Sequence, residues 1–547
     1  MAAKRDYPDL HDHLDSLEKA GLLIRVDREI NKDTEMHPLV RWQFRGGIPE
    51  SERKAFLFTN VVDSKGKRYD IPVVVGALAA SREIYRIGLG CELDKIAETY
   101  TRAANHPIEP NVVSEAEAPC QEIVIMGAEL DEPGKGLDAI PIPISTPGWD
   151  NGPYTTLSQY ISKDPETGVQ NMGNYRGQVK ARRRIGMNPS LELRPGIYAH
   201  WLKYKARGEK MPAVVVLGAP PAVTFTSTQK LPERLDELAV SGGLVGSPLN
   251  VVKAKTVDLM VPAEAEIVIE GYIHTDALEP EAPFGESHGH VNLQEYNAFM
   301  EITAITRRKD AILTSIISQV TPSESSLIKR VSLEPLLLEH LRENLGLKCV
   351  KKVGLHEPLT NLRKVVLLHI EKGTPRVETW RALYGIATQH RAIGKFVIAV
   401  DEDIDVDNAD AILWALSYRC NPAIDMEVMK HRDQGHGPRS QRNGGEDASV
   451  LFDATLKEPF PPISLPKREY MEKAKAIWDE LGLPALKPQA PWFGYSLGEW
   501  DDNLSEMAER AVASDYWKTG EIIAQQRRSD LEMNTEVRHA PKLEDKD

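Results

Sequence analysis

Val365-Val366-Leu367-Leu368-His369-Ile370 and Phe396-Val397-Ile398-Ala399-Val400 are short apolar runs rich in β-branched residues. Each precedes a stretch that reads as a helix, 379–388 after the first and 409–418 after the second. Strand, helix, strand, helix is the rhythm of a βαβ unit, so residues from 348 to about 425 are expected to form an α/β domain. Upstream, residues 325–345 carry Leu327, Ile328, Val331, Leu333, Leu336, Leu337, Leu338 and Leu341. That spacing predicts a connecting helix, interrupted or kinked near Pro335. Downstream, residues 504–528 read as one terminal helix, and the last dozen residues are polar.

Between residues 120 and 318 the texture differs. Short strands are predicted at 122–126, 213–217, 266–272 and 311–317, separated by turns rich in Gly and Pro, with one helix at 195–207. This suggests a β-barrel or sandwich. Further upstream, Leu10, Leu14 and Leu17 predict a helix that Gly21 stops, and strands follow at 22–30, 56–58 and 71–76. A helix-like patch at 92–104 completes a small mixed α/β domain, and the acidic, Pro-containing stretch 109–119 reads as a linker. The expected division is therefore 1–118, 119–324, a connecting helix 325–346, and 347–547. A chain of 547 residues exceeds one ordinary core, which agrees with several domains.

Composition narrows the function. With 67 basic and 81 acidic residues the net charge is −14, so nucleic acid and anionic membranes are not default partners. An anionic ligand would need a local basic site. The longest basic cluster, Lys180-Ala181-Arg182-Arg183-Arg184, is one candidate, although such a run also suits a solvated face. The four cysteines are scattered, which argues against a disulfide framework or a cysteine zinc site. No signal-peptide pattern stands at the N-terminus and no run of ~20 apolar residues occurs. A cytoplasmic location is the expectation. There is no phosphate loop of the Walker type, no HExxH, no GxSxG, and no dinucleotide fingerprint in a strand–helix context.

Three constellations could carry chemistry. Glu281-Ala282-Pro283-Phe284-Gly285-Glu286-Ser287-His288-Gly289-His290 sets two carboxylates five residues apart across a turn. Close carboxylates can do proton transfer, but the pattern alone also fits an exposed acidic turn. Asn171-Met172-Gly173-Asn174-Tyr175-Arg176 offers a guanidinium for a carboxylate or phosphate, and a glycine for close backbone approach. A strand with a polar edge would look the same. Gly218-Ala219-Pro220-Pro221, followed by Thr226-Ser227-Thr228 and Glu237, suits a ligand-lining loop or a plain helix entry. The Asn, His and Glu types among these residues, with His200 on the predicted helix, would suit a hard divalent ion.

Taken in order, these segments resemble the UbiD family of prenylated-FMN-dependent decarboxylases. Further pieces of the resemblance are residues 9–14 and 17–21, Asp258-Leu259-Met260-Val261-Pro262-Ala263, residues 282–289, Val400-Asp401-Glu402-Asp403-Ile404-Asp405-Val406 and Trp414-Ala415-Leu416. The resemblance implies an α/β, or α+β multidomain, chain with an N-terminal α/β domain, a split β-barrel flavin-binding domain, and a C-terminal α/β oligomerisation domain carrying a terminal helix. It implies prenylated FMN, with Mn²⁺ (or Mg²⁺) bridging its phosphate and K⁺ nearby. The metal ligands fall on Asn171, His200 and Glu237. The cofactor-lining residues fall on Asn171, Met172, Gly173, Asn174, Tyr175, Arg176, Ala199, His200, Ser227, Thr228 and Glu237. The catalytic group falls on Arg176, Glu281 and Glu286.

The implied reaction is reversible, non-oxidative decarboxylation of an unsaturated, aromatic or heteroaromatic acid. Implied partners are a flavin prenyltransferase that supplies the cofactor and further copies of the chain, as a dimer or hexamer. Two variants of this reading stand beside it. One is an aryl-CoA thioester decarboxylase, with 180–184 meeting the CoA phosphates. The other is a non-catalytic assembly subunit. The latter is suggested by one departure: family members carry an anchoring lysine before Asp-Ala-Thr, whereas here Gly444-Gly445-Glu446-Asp447 precedes Ala448 to Thr455 without one. Lys457, Arg439 and Arg442 are the candidate substitutes.

Overall fold

The computed structural model describes residues 3–189, 195–229, 231–232, 235–390, 393–433, 435, 437, 446–458, 460–486, 500–525 and 527. The first helix, Leu10–Lys19, begins where the Asp9 side chain accepts the Asp12 N–H, and it buries Leu10, His13, Leu14 and Leu17. Asp9 at that end satisfies an otherwise orphaned amide and complements the helix dipole. The buried face packs onto a four-stranded sheet ordered Leu23–Val26, Ala55–Phe58, Val73–Val75, Leu313–Ser315.

The last of these strands comes from the stretch 311–317, which the sequence grouped with the central strands. Leu313–Ser315 pairs in parallel with Val73–Val75, so the chain leaves the central sheet and returns to the N-terminal one. All three residues of the strand are buried, as a strand covered on both faces requires.

The central domain is built on a ten-stranded sheet. Its main path runs Gln170–Asn174, Gln159–Lys163, Met211–Leu217, Ile267–Ile273, Glu295–Arg307, Arg184–Met187, Gly177–Ala181, Tyr154–Thr155. Ile123–Met126 and Glu279–Glu281 also pair with the long strand Glu295–Arg307. The path is open and mainly antiparallel, consistent with a split barrel. Met211–Leu217 and Ile267–Ile273 are central and almost wholly buried, and Val and Ile dominate them. The helix Gly196–Arg207 packs across the strands Gln159–Lys163 and Gln170–Asn174. The stretch read as a linker holds Asn111–Val112, which pairs in parallel with Asn250–Lys253.

The connecting helix, Glu324–Glu339, starts at a capping box formed by Ser323 and Ser326. It continues through Pro335 and leaves α geometry only at the π-helical turn His340–Asn344. The expected interruption near Pro335 is therefore not found; the change of geometry comes five residues later. The C-terminal sheet runs Val350–Leu355, Val365–Ile370, Phe396–Asp401, Glu446–Ala454, Met426–Asp433. Its three middle strands are parallel and its edges antiparallel, and the helices Arg376–Gln389 and Ala409–Arg419 make the crossovers. The single terminal helix expected over 504–528 is instead two helices, Asp502–Val512 and Tyr516–Ala524. They are divided at Ser514, whose φ of 64° is incompatible with a continuous right-handed helix.

Candidate active site

The central domain brings the predicted acids to one guanidinium. Arg176 follows the strand Gln170–Asn174 and forms a bridge with Asn188. Its Nε and Nη2 donate to the two carboxylate oxygens of Glu281, both at 2.8 Å. Its Nη1 donates to Oε1 of Glu286. Its guanidinium lies 4.8 Å from the centroid of the Phe284 ring, which itself packs on Tyr154. Two parallel hydrogen bonds to one carboxylate and a stacked ring hold the fork in a single orientation.

The two glutamates are not equivalent. Glu281 is fully buried and accepts two further bonds, from Nδ2 of Asn188 at 3.2 Å and from Nδ2 of Asn297 at 3.3 Å. Glu286 lines a cavity and accepts a hydrogen bond from Nδ2 of Asn292 at 3.1 Å. Glu281 is caged by donors, while Glu286 faces the space a substrate would fill. The asparagines were not singled out in the sequence, since isolated Asn residues carry no pattern. The Arg176–Asn188 bridge is what assigns one of them.

The cavity encloses about 990 Å³. Its walls include every residue from Asn171 to Arg176, together with Ser227, Thr228, Glu237, Phe284 and Glu286. The connecting helix and the C-terminal domain also line it, through Lys329, Arg363 and Gln389 among others. Such a volume stands at the upper end for small-molecule sites and has room for a flavin with a small acid. Gly173 is needed here, because a Cβ on it would fall 2.5 Å from the Tyr175 hydroxyl. Ser227 and Thr228 turn their hydroxyls back to the carbonyls of Thr224 and Phe225, at 2.7 Å each.

Of the predicted metal set, Asn171 and Glu237 meet directly. Nδ2 of Asn171 donates to Oε1 of Glu237 at 3.0 Å, and the Met172 N–H donates to Oε2 at 2.8 Å. Burial pushes the Glu237 carboxyl up to about 7, with the Met172 amide opposing the shift. Neighbouring Asp236, which caps the helix Glu237–Val245, is pushed up to about 6 by burial. His200 is buried on the helix Gly196–Arg207, and its Nδ1 lies 2.9 Å from the Ser162 hydroxyl. Ser162 is the cross-strand partner of Asn171, so the imidazole stands beside the same strand pair. Ala199 and His200 are not among the cavity-lining residues, though Pro195 and Gly196 of that helix end are.

Oδ1 of Asn171 is buried without a hydrogen-bond partner, and a Cβ at Gly196 would lie 2.6 Å from it. An orphaned carbonyl oxygen beside a carboxylate, kept clear by a glycine, fits a hard cation. Among the described residues no cluster of three His, Cys, Asp or Glu stands ready for a metal, so an asparagine has to complete this set.

Two candidate assignments do not hold. Lys457 does not line the cavity: its Nζ donates to the carbonyls of Arg419 and Asp453 and pairs with Asp425 and Asp453. It belongs to a buried network inside the C-terminal domain. Arg439, Arg442, Gly444 and Gly445 lie outside the described residues. The basic cluster 180–184 is spent on local carboxylates as well: Lys180 and Arg184 pair with Glu279, Arg182 with Asp138, and Arg183 with Asp131.

Comparison with known families agrees with this geometry. Residues 14–104, 111–320 and 326–454 match, respectively, the N-terminal, Rift-related and C-terminal domain models of 3-octaprenyl-4-hydroxybenzoate carboxy-lyase. The chain belongs to the UbiD family. An uncharacterized protein of Archaeoglobus fulgidus is 27% identical over 504 residues, covering 87% of this chain and 98% of its own. Among solved structures, the UbiD-class enzyme HmfF of Pelotomaculum thermopropionicum, in complex with FMN, superposes with a TM-score of 0.74 at 29% identity. That match covers 85% of this chain and 99% of HmfF. An evolved dimeric form of HmfF holds prenylated FMN and superposes at 0.71, again at 29% identity, over 84% of this chain and 97% of its own. The vanillic acid decarboxylase of Sedimentibacter hydroxybenzoicus superposes at 0.71 with 25% identity, over 87% of this chain and all of its own. UbiD-family enzymes are carboxy-lyases, and flavin-bound enzymes and aromatic-acid decarboxylases stand among the structural neighbours of this one. Among the described residues no helix is long and apolar enough to cross a membrane.

Proposed function

We propose that this UbiD-family chain is a prenylated-FMN-dependent carboxy-lyase that reversibly decarboxylates an aromatic or heteroaromatic acid. The observation that carries the reading is the asymmetric trio: Arg176 clamps a caged Glu281 with two bonds and a cavity-facing Glu286 with a third. The cofactor would be held along 171–176 with Ser227 and Thr228, and its phosphate through a divalent ion, Mn²⁺ or Mg²⁺, on Asn171, His200 and Glu237, with K⁺ nearby. When bound, the modified flavin supplies the electron sink that carbon–carbon cleavage requires.

The chain's own residues do the rest. Glu281 keeps Arg176 fixed and aimed. Arg176 orients the substrate carboxylate at the cavity wall. Phe284 and Tyr154 keep that end apolar, which favours loss of a charged carboxylate as neutral CO₂. One guanidinium between two carboxylates leaves the trio one positive charge short, and a proton on Glu286 restores the balance. Glu286 delivers that proton to the carbon that lost CO₂ and recovers it in the reverse direction.

The domains would be 1–118, 119–324, the connecting helix 325–346, and 347–547, assembled as a cytoplasmic homo-oligomer and supplied by a flavin prenyltransferase. The intact trio speaks against a purely structural subunit. Lys180 to Arg184 pair with local acids and do not line the cavity, which weighs against a CoA ester. The test is anaerobic co-expression with a flavin prenyltransferase, followed by mass spectrometry of the released flavin and a screen of aromatic acids for CO₂ release. Prenylated FMN with turnover of at least one acid is expected. Flavin-loaded protein that releases CO₂ from none of them would refute the reading.

A further inference from the structure

The cavity lining from the connecting helix and the C-terminal domain carries two cations that the trio does not use. Lys329 lies on the connecting helix Glu324–Glu339, and Arg363 on the loop before the strand Val365–Ile370. Both line the cavity. Among the described residues neither side chain has a hydrogen-bond or ion-pair partner, in a chain whose net charge is −14. Neighbouring cations do have partners: Arg330 binds Glu334 and Asp407, and Lys352 binds Asp407.

The two cations repel each other and still face one space. Burial, with the Arg363 charge second, pushes the Lys329 ammonium down to about 8, and burial lowers the Arg363 guanidinium as well. The Lys329 side chain is exposed at the cavity. The loop that presents Arg363 is costly too. Leu359, Asn361 and Leu362 all have positive φ, at 62°, 49° and 57°. Non-glycine residues pay to adopt that region, and such strain collects at ligand sites.

The position of the pair says which anion it would meet. The Val320 N–H donates to the Glu286 carbonyl at 3.1 Å. One residue on, the Thr321 carbonyl accepts the Leu359 N–H at 3.2 Å, which docks the Arg363 loop. Ser325 bonds back to the Ile317 and Ser318 carbonyls, and Lys329 sits one helical turn beyond Ser325. The segments that carry both cations are thus linked, through residues 317–321, to the turn that carries Glu286. The flavin phosphate, in the reading above, belongs with Asn171 and Glu237.

We propose that Lys329 and Arg363 form a second anion subsite that selects aromatic acids bearing a further carboxylate, remote from the one that leaves. The inference rests on the carboxy-lyase reading and deepens it. The carboxylate at Arg176 loses its bond to the ring as CO₂, the electron pair stays on the ring carbon, and Glu286 supplies the proton there. The second carboxylate undergoes no bond change. It accepts hydrogen bonds from the planar Arg363 fork and from the Lys329 ammonium, and so fixes the ring in register.

The test uses flavin-loaded full-length protein, wild type, Lys329→Met and Arg363→Met. Matched pairs of aromatic and heteroaromatic monoacids and their dicarboxylate counterparts are compared by thermal shift and by kcat/KM. Each charge-assisted contact predicts an advantage of about 10- to 100-fold for the dicarboxylate, lost in each variant, with monoacid turnover and flavin content unchanged. Monoacids that bind and turn over as well as dicarboxylates would overturn the subsite and leave the carboxy-lyase reading standing. Variants that lose flavin would also overturn it, because the cations would then serve the cofactor phosphate. No turnover of either acid class would sink both readings together.

Discussion

Glu286→Gln separates proton transfer from everything else the trio does. Glutamine matches glutamate in shape, and its carbonyl can still accept from Arg176 Nη1 and from Asn292 Nδ2. The Arg176–Glu281 fork, the Phe284 contact and the cavity walls are untouched. The static loss is one charged acceptor at a site open to the cavity, worth about 1 kcal/mol. What disappears is the ionisable oxygen. Positioned acid–base groups contribute roughly 10²- to 10⁴-fold, or about 3–5 kcal/mol of barrier. The expected result is a fall of at least about 100-fold in kcat, an unaltered flavin spectrum, and a melting temperature within a few degrees of wild type. Turnover in D₂O, followed by NMR of the product, reads the same step directly, because deuterium should enter the ring at the vacated carbon only through Glu286. A variant keeping more than about a tenth of wild-type kcat would show that another group moves the proton, and the distinction drawn between Glu286 and Glu281 would fail.

Glu281→Gln should act differently: its carbonyl can still take the bonds from Asn188 and Asn297, but its amide N–H₂ replaces the oxygen that accepts from Arg176 Nε, so the guanidinium, 11% exposed, loses its charged bidentate partner and a stability loss of about 3 kcal/mol should accompany the loss of turnover in thermal melts. Glu237→Gln should release metal and lower flavin retention while leaving the fold intact, seen as reduced manganese by elemental analysis; full metal and flavin content would remove Glu237 from the site. Glu324 is fully buried, and burial raises its carboxyl to about 8. A raised folded-state value means the stability it contributes is complete below its unfolded value and lost as pH climbs toward 8, at up to about 1.4 kcal/mol per pH unit. Melting temperature should therefore decline between pH 5 and 8 in the wild type and decline less in Glu324→Gln; identical profiles would count against it.

Local signals carried the elements a long way. Residues 365–370 and 396–400 are strands because β-branched side chains favour a pleated, covered surface, and the structure extends the second of them by one residue. Pro195 and Gly208 bracket the helix Gly196–Arg207 through the same backbone rules that predicted it. The failures came where a distant partner decides. Pro335 stays inside its helix, which capping and packing support on both sides. Ser514 splits the terminal helix at a position no periodicity marks.

Residue type and order alone determined the α/β organisation, the central strand-rich domain, the family, and the short set from which the site is drawn, because these depend on local backbone preference and on patterns that survive in one dimension. Tertiary structure decided which strand completes the N-terminal sheet and which of two glutamates is caged. It also decided that Lys457 and the 180–184 cluster are already paired, and that Lys329 and Arg363 face one cavity. Those outcomes depend on burial and on the distance between charges far apart in the chain, and electrostatic roles follow from both. Glu281 and Glu286 are the same residue five positions apart; only the donors around the first and the open space before the second give them different work.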